Sequence, residues 1–364
     1  MTETPPPPRT QLARGLLAGA VVFVATLILL FGLSSLVGHG TGGVGASASS
    51  VATAFASIPS SAIASLPDGS GASPSASTSA SPSGGTASPA PSLGPSASPS
   101  GDPVLVGAGD IATCGVPDAK ATAALIQGIP GTVFTAGDNA YPDGTTAQFT
   151  DCYGPTWGQF RDRTRPAAGN HDWVTKGLAG YLGYFGTAAA PDGESWYSYD
   201  LGTWHVIVLD SDCSFVGGCA AASAQGRWLA ADLAASKSAC TLAIWHQPRF
   251  SSGVHGNDAE IGPFWKALYA AGADVVINGH DHDYERFGPQ DPNARSDGAR
   301  GIREFVVGTG GAELTDFPTT QPNSELRTSV SHGVMRLVLH ADSYDWRFIP
   351  TTGNVTDAGS GPCH

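Results

Sequence analysis

The chain has 364 residues, enough for one or two domains, and 41% of them are hydrophobic, which allows a substantial core. Its formal net charge is −13, of which residues 1–102 contribute only −1. The acidity therefore lies in residues 103–364 and argues against a nucleic-acid-binding protein, because such surfaces need clustered Lys and Arg.

Near the N-terminus, residues 15–37 form an apolar stretch without a charged side chain. As a helix this stretch would be about 35 Å long, enough to cross a hydrocarbon core of ~30 Å. Arg9 and Arg14 precede it, so the positive-inside rule predicts a cytoplasmic tail at 1–14, a single transmembrane helix at 15–37 and an extracellular C-terminal part anchored to the cell membrane. The alternative is a signal peptide cleaved near Ala46–Ala48, which would give a secreted protein.

Residues 38–102 consist almost wholly of Ser, Ala, Gly, Pro and Thr. Such a segment cannot bury enough apolar surface to offset the entropy lost on ordering it. We therefore expect a disordered linker, a stalk that separates the apolar stretch from a folded domain at 103–364.

The sequence of residues 103–364 alternates between short apolar runs and helical patterns, which predicts a layered α/β fold. The runs that predict buried strands are 104–110, 132–138, 204–210, 240–246 and 273–279. The patterns that predict helices are 118–128, 224–236 and 261–272. Three last strands, at 304–310, 332–341 and 343–350, follow one another without helices, so we expect part of the sheet to be antiparallel.

All six cysteines lie in the predicted domain. Their even number and the absence of a CxxC motif favour three disulfides in an oxidising compartment over a thiolate metal site. Six cysteines allow 15 pairings. Cys213–Cys219 is the favoured one, because Gly217 and Gly218 let a short loop close.

Polar clusters follow several predicted strands, at the sheet edge where ligands bind in open α/β folds. The clusters are Gly109-Asp110, Gly137 to Tyr141, Gly169 to Asp172, Trp245-His246 and Gly279 to His282. Taken singly, each is more often a turn or a helix cap, and a lone strand histidine is usually structural. We interpret His205, His332 and His340 in that way. Five clusters of this kind in one chain favour a shared polar site.

These five clusters resemble the signature blocks of the metallophosphoesterase superfamily and, more narrowly, those of purple acid phosphatases, over roughly residues 104–350. The resemblance implies an α/β fold, a layered metallophosphoesterase-type β-sandwich flanked by helices. The subgroup rests on two positions. Ala112 occupies a position where most metallophosphoesterases have His and where purple acid phosphatases usually have Gly. Tyr141 stands where most have Asp, and a tyrosine phenolate binds ferric iron in purple acid phosphatases.

Carried over residue by residue, the resemblance implies two metal ions. The first, Fe(III), would be held by Asp110, Tyr141 and His282. The second, Zn, Mn or Fe(II), would be held by Asn170, His246 and His280, and Asp138 would bridge both. Carboxylate, amide, phenolate and imidazole donors suit these metals. The neighbours considered for orienting roles are Asp172, Asp281, Asp283 and Arg286.

The implied activity is acid phosphatase-like hydrolysis of a small phosphate monoester by attack of a metal-bound hydroxide. His171 would protonate the leaving oxygen or stabilise charge in the transition state, and His255 would contact the substrate. One alternative is a phosphodiesterase or nucleotidase on the same dimetal site. Another is a non-catalytic, stalked surface binding module. The oligomeric state and the physiological substrate stay open.

Overall fold

The computed structural model describes residues 101–364. The predicted cytoplasmic tail, transmembrane helix and nearly all of the predicted linker lie outside these residues. Within 101–364, no helix combines the length and the apolar character needed to cross a membrane.

Fifteen strands are present in the described part of the chain. In order they are β1 Val104–Ala108, β2 Ala112–Thr113, β3 Thr132–Ala136, β4 Ala140–Tyr141, β5 Thr164–Ala167, β6 Tyr197–Leu201, β7 Trp204–Val208, β8 Cys240–Ile244, β9 Val275–Asn278, β10 Tyr284–Phe287, β11 Arg303–Val307, β12 Ser324–Thr328, β13 Gly333–Leu339, β14 Ser343–Pro350 and β15 Asp357–Pro362.

The α-helices of this part are α1 Asp118–Gln127, α2 Thr146–Gln148, α3 Asn170–Val174, α4 Ala179–Phe185, α5 Ala224–Ala235 and α6 Gly262–Ala271. Short 3-10 turns occur at Trp157–Arg163, Lys176–Leu178 and Gly186–Ala188, and a π-helical turn at Phe149–Tyr153.

Two large mixed sheets carry the fold. The first has the order β15-β14-β13-β1-β3-β5, and the second β12-β10-β11-β9-β8-β7-β6. In the first sheet β1, β3 and β5 run parallel, and in the second β7, β8, β9 and β11 do. The predicted antiparallel part is confirmed, since β13 pairs antiparallel with both β1 and β14. β11 differs, because it adds parallel to β9 in the other sheet.

The side-chain alternation of the second sheet explains the layering. Leu242 and Ile244 of β8 pack into a core that also contains residues of the first sheet. Ala243 and Trp245 point to the other face, into a second core under α5 and α6. Since both faces are covered, these strands read as continuous apolar runs. The result is the predicted two-sheet sandwich with flanking helices.

Local sequence signals set the ends of the two covering helices. The Ser223 hydroxyl accepts a hydrogen bond from the Gly226 amide and caps the start of α5. Pro263 lies in the first turn of α6, and Gly272 ends that helix with a left-handed φ of 79°. The three helices predicted from the sequence are confirmed to within one or two residues at each end.

Three disulfides join the six cysteines: Cys114–Cys152, Cys213–Cys219 and Cys240–Cys363. The Cys213–Cys219 pairing predicted from the two glycines is confirmed. With all six sulfurs bonded, no cysteine is free to hold a metal as a thiolate.

Candidate metal centre

Five strands of the two large sheets lead into the site, β1, β3 and β5 from the first sheet and β8 and β9 from the second. The loops that follow them are tied by backbone hydrogen bonds. The amide of Asp110 donates to the carbonyl of Gly137 at 3.1 Å, and the amide of Gly279 to that of His246 at 3.0 Å. The carboxyl ends of the central parallel strands thus meet, as ligand sites in α/β sheets require.

The first group of donors meets at the Tyr141 hydroxyl. Its Oη donates to Asp110 Oδ1 at 2.8 Å and lies 3.0 Å from Asp138 Oδ2. His282 Nε2 is 3.1 Å from the same hydroxyl and 3.3 Å from Asp110 Oδ1. Two carboxylates, a phenol and an imidazole therefore face one point.

The second group meets at His246 Nε2. This nitrogen is 3.1 Å from Asn170 Oδ1, 3.2 Å from Asp138 Oδ2 and 3.2 Å from His280 Nδ1. Asp138 Oδ2 belongs to both groups. The sequence-predicted ligands thus come together in the two sets expected, with Asp138 between them.

The backbone fixes the direction of two of the imidazoles. His246 Nδ1 donates to the carbonyl of Ala136 at 2.8 Å, and His282 Nδ1 to that of Glu313 at 2.8 Å. Each ring therefore turns Nε2 toward the centre, where a bound cation could replace the proton on that nitrogen. Such outer hydrogen bonds set the tautomer of metal-binding histidines in proteins.

Three of the seven residues lie in the left-handed backbone region, which non-glycine residues adopt rarely. Their φ angles are 60° for Asp110, 49° for Asp138 and 71° for His280. Backbone of this kind costs on the order of 1–3 kcal/mol per residue and concentrates at functional sites. The strain argues that these three positions are selected for their chemistry.

Close packing also demands glycine beside two of these residues. A Cβ at Gly279 would lie 2.5 Å from Asp110 Oδ2 and 2.6 Å from the carbonyl of Ala136. One at Gly169 would lie 2.3 Å from Asp138 Oδ1. Any side chain at either position would push a donor carboxylate away.

The centre is buried and strongly polarised. Burial opposes charge on the imidazoles, but Asp138 raises the pKa of His246 to about 10 and Asp110 raises that of His282 to about 9. Burial and the neighbouring His246 charge lower the pKa of His280. Burial and the two carboxylates raise the pKa of Tyr141 well above its usual value. Only a strong cation would stabilise its phenolate here.

These donors fit two metal ions. Ligand atoms of Asp110, Asp138 and His246 lie within 4.8 Å of one another. His246 Nε2 and His280 Nδ1 face each other, which requires a proton or a cation between them. The donor set is oxygen and nitrogen, as Fe, Mn or Zn requires.

The two histidines predicted to take part in catalysis flank this centre. His171 Nδ1 donates to the carbonyl of Pro142 at 2.6 Å, and its Nε2 lies 3.9 Å from Asp138 Oδ2. The His171 ring, 36% exposed, packs on the Tyr141 ring. The His255 ring lies 4.3 Å from that of His280. Both positions suit contact with a substrate, and the two roles stay predictions.

The four residues expected to orient ligands or His171 make different contacts. The hydrogen bonds of Asp172 come from Asn139 and from the Gly169 amide, and they fix the loops after β3 and β5. Arg286 pairs with Asp357 and Glu325, away from the centre, because its strand turns it toward β15.

The two remaining neighbours also differ. Asp281 accepts hydrogen bonds from the His255 and Gly256 amides and so holds the loop that carries His255. Asp283 is fully buried, and its carboxylate oxygens have no hydrogen-bond partner. No orienting role follows for Asp283.

Sequence reasoning missed the loop after β7. Gln247, next to His246, donates from Nε2 to Asp212 Oδ1 at 3.0 Å, and its amide donates to Ser211 Oγ at 3.0 Å. Asp210 and Asp212 are buried there, and burial raises the pKa of Asp210 to about 6 and that of Asp212 to about 7. The missed signal is the polar run Asp210-Ser211-Asp212, which begins at the last residue of the predicted strand 204–210.

A family model, calcineurin-like phosphoesterase, matches residues 101–284 of the chain. This range is about half of the chain and contains all seven proposed ligands.

Two relatives illustrate the sequence similarity. An uncharacterized protein of Mycobacterium tuberculosis is 33% identical over 208 residues, which cover 45% of this chain and 39% of that protein. Purple acid phosphatase 21 of Arabidopsis thaliana is 29% identical over 221 residues, which cover 53% of this chain and 49% of that protein. The matches thus span about half or less of these relatives.

Solved structures share the fold. A purple acid phosphatase from yellow lupin (Lupinus luteus) seeds superimposes with a TM-score of 0.58 at 20% identity, covering 71% of this chain and 53% of that one. GAP50 of Plasmodium, described as the anchor in the inner membrane complex, gives a TM-score of 0.56 at 15% identity, covering 72% of this chain and 89% of that one. At these identities the likeness establishes the fold.

Proposed function

Since the chain belongs to the calcineurin-like phosphoesterase family, we propose that it is a dimetal phosphoesterase of the purple acid phosphatase type that hydrolyses small phosphate monoesters. The observation that carries the proposal is the convergence of seven donors in two sets that share Asp138. A binding module that had lost catalysis would not need to keep every donor in place.

Two metal ions, when bound, would supply positive charge to the phosphoryl oxygens and an activated water as nucleophile. Asp110, Tyr141 and His282 would hold the first with Asp138, and a phenol between two carboxylates favours Fe(III) at this position. Asn170, His246 and His280 would hold the second, which we expect to be Zn, Mn or Fe(II).

His171 is proposed as the proton donor to the leaving oxygen. The Pro142 carbonyl fixes the proton on Nδ1, so that Nε2 faces the centre without contacting a donor atom. A ring protonated also on Nε2 can pass that proton to the departing alkoxide. Its partial exposure lets it return to the protonated state from solvent.

His255 is proposed to bind a phosphoryl oxygen on the opposite side. Its amide is held by Asp281 Oδ1 at 2.7 Å, and its ring rests on that of His280. The loop is therefore fixed before substrate binds, which reduces the entropy lost on binding.

We also propose that residues 103–364 work outside the cytoplasm. Three disulfides support this, because such bonds persist in oxidising compartments. The apolar stretch at 15–37 supports anchoring to the cell membrane, and cleavage would instead give a secreted enzyme. Protease treatment of intact cells tests this. Degradation of the domain is expected, and full protection would contradict the location.

The activity is tested by phosphate release from an aryl monoester and an aryl diester, with metal-loaded and chelated protein. We expect metal-dependent hydrolysis with preference for the monoester. A preference for the diester would assign the phosphodiesterase alternative, and no hydrolysis with full metal content would contradict catalysis.

Iron at the first site is tested independently by visible absorption of the oxidised protein. We expect a tyrosinate-to-Fe(III) charge-transfer band in the wild type that is lost in Tyr141→Phe. Iron content without such a band would contradict the assignment of Tyr141.

A further inference from the structure

An aromatic pair includes Trp173, which lies in the short helix that also carries Asn170 and His171. The rings of Trp173 and Phe215 stack with centroids 4.9 Å apart and planes 8° from parallel. Phe215 is 58% exposed, and Val174, next to Trp173, is also 58% exposed. No other aromatic side chain stands out as an exposed large hydrophobic residue within the described part of the chain.

The pair is held in place. Trp173 Nε1 donates to Asp210 Oδ2 at 3.1 Å, and Asp210 in turn accepts from Ser195 Oγ at 2.6 Å. Phe215 lies inside the small ring closed by Cys213–Cys219, and its amide donates to the Asp212 carbonyl at 2.9 Å. An exposed aromatic ring fixed in this way presents its apolar face to solvent at little further entropy cost.

Both rings are linked to the proposed ligands. Trp173 is in the same short helix as Asn170 and follows His171 by two residues. The Phe215 loop is bonded to Gln247, the neighbour of His246, through Ser211 and Asp212. The pair is therefore joined from two sides to residues that would hold the second metal.

A cavity of about 230 Å³ lies beside the pair. Its apolar lining comprises Trp173, Leu178, Leu182, Trp196, Phe215 and Val216. An apolar cavity of ~150 Å³ is enough to hold benzene, so this one has room for a single aromatic ring. Glu194 also lines it and disfavours a negatively charged group there.

We propose that Trp173 and Phe215 form an aromatic platform that binds the leaving group of the substrate, and that this group carries an uncharged aromatic ring. The inference rests on the proposed function and narrows its substrate class to aryl phosphate monoesters. Phe215 is a specificity-determining residue in this account, and the Cys213–Cys219 ring positions it.

The test compares phenyl phosphate with butyl phosphate by kcat/KM in the wild type and in Phe215→Ala. Since aromatic pairs are worth about 0.5–1.5 kcal/mol beyond burial, we expect the preference for the phenyl ester to fall by roughly 2- to 10-fold. Phe215→Tyr should keep the preference, and Phe215→Leu should lower it about as much as Phe215→Ala does. Val330→Ala truncates another exposed apolar side chain, 74% exposed between β12 and β13, and should leave the ratio unchanged.

Binding of phenylphosphonate and butylphosphonate, measured by calorimetry, separates this inference from the proposed function. Tighter binding of the phenyl compound that weakens in Phe215→Ala supports the platform, even if the wild type hydrolyses neither ester. Equal kcat/KM ratios and equal phosphonate affinities in wild type and Phe215→Ala would overturn it, while hydrolysis itself would still stand.

Discussion

Two histidines of the second sheet, His205 and His246, each lie close to an aspartate, which makes two histidine–aspartate clusters. They differ in the partner of the second ring nitrogen. His205, in the middle of β7, gives Nε2 to Asp232 Oδ2 at 2.7 Å and Nδ1 to Asp200 Oδ1 at 3.3 Å. His246, just after β8, gives Nδ1 to a backbone carbonyl and turns Nε2 toward Asp138 and Asn170.

The difference distinguishes a structural histidine from a proposed metal-binding one. Both ring nitrogens of His205 face carboxylates, which raise its pKa, and neither nitrogen is turned toward another kind of donor. His246 instead has Nδ1 on a backbone carbonyl and turns Nε2 toward an amide oxygen, a carboxylate and a second imidazole, a set of donors that a cation could share. A carboxylate partner alone does not identify a candidate ligand, whereas a ring nitrogen turned toward several different donors does.

The largest effect is expected when one carboxylate is neutralised in each cluster. Asp138→Asn should lose bound metal, because both donor sets share Asp138. We expect kcat/KM to fall by more than about 10⁴-fold, a larger decrease than the loss of a general acid causes. Asp200→Asn, the matched control, should change neither. Metal analysis and steady-state kinetics of both variants check this. If Asp138→Asn kept the wild-type metal content, the proposed distinction between the two clusters would be wrong.

A smaller effect is expected for His171→Ala. The metals should stay, and kcat should fall by about 10²–10⁴-fold, most for poor leaving groups that need protonation. A series of monoesters of increasing leaving-group pKa measures this. Equal losses across the series would refute the role of His171 as proton donor.

Close packing gives the next contrast. Gly279→Ala would bring a Cβ within 2.5 Å of Asp110 Oδ2, so we expect about 10- to 100-fold weaker metal binding. Gly183→Ala in α4 meets no atom within 4 Å and should stabilise the fold by about 0.5–1 kcal/mol. Metal titration and thermal unfolding compare the two. Unchanged metal affinity in Gly279→Ala would contradict the packing argument.

The smallest effect concerns His205 and pH. Hydrogen bonds to Asp232, opposed by burial, raise its pKa in the folded state. Its contribution to stability is therefore complete below pH 6.5 and is lost as pH rises through the raised pKa. We expect His205→Gln to lower the free energy of unfolding by about 1 kcal/mol at pH 5 and by less at pH 9. Urea unfolding of both proteins at the two pH values checks this. A larger loss of unfolding free energy at pH 9 than at pH 5 would contradict a raised pKa of His205 in the folded state.

The sequence predicted the donors but not their supports. Asp110, Asp138 and His280 stand beside glycines at strand ends, a local pattern that can be read directly. The hydrogen bond between Asp172 and Asn139 and the ion pair between Arg286 and Asp357 join residues more than 30 positions apart. Local sequence patterns do not predict such contacts. Apolar runs likewise revealed β1 and β8, whereas the polar edge strand β12 carried no such pattern.

The predicted pairing Cys213–Cys219 could be read from a six-residue separation. The 123 positions between Cys240 and Cys363 left that pair among many possibilities. The Trp173–Phe215 stack has the same origin, because it joins two loops that only the fold brings together.

The most direct test of the account is anomalous diffraction from crystals of the metal-loaded protein. We predict two peaks, one among Asp110, Asp138, Tyr141 and His282 and the other among Asp138, Asn170, His246 and His280. A single peak, or peaks away from Asp138, would contradict the claim that this chain builds a dimetal centre.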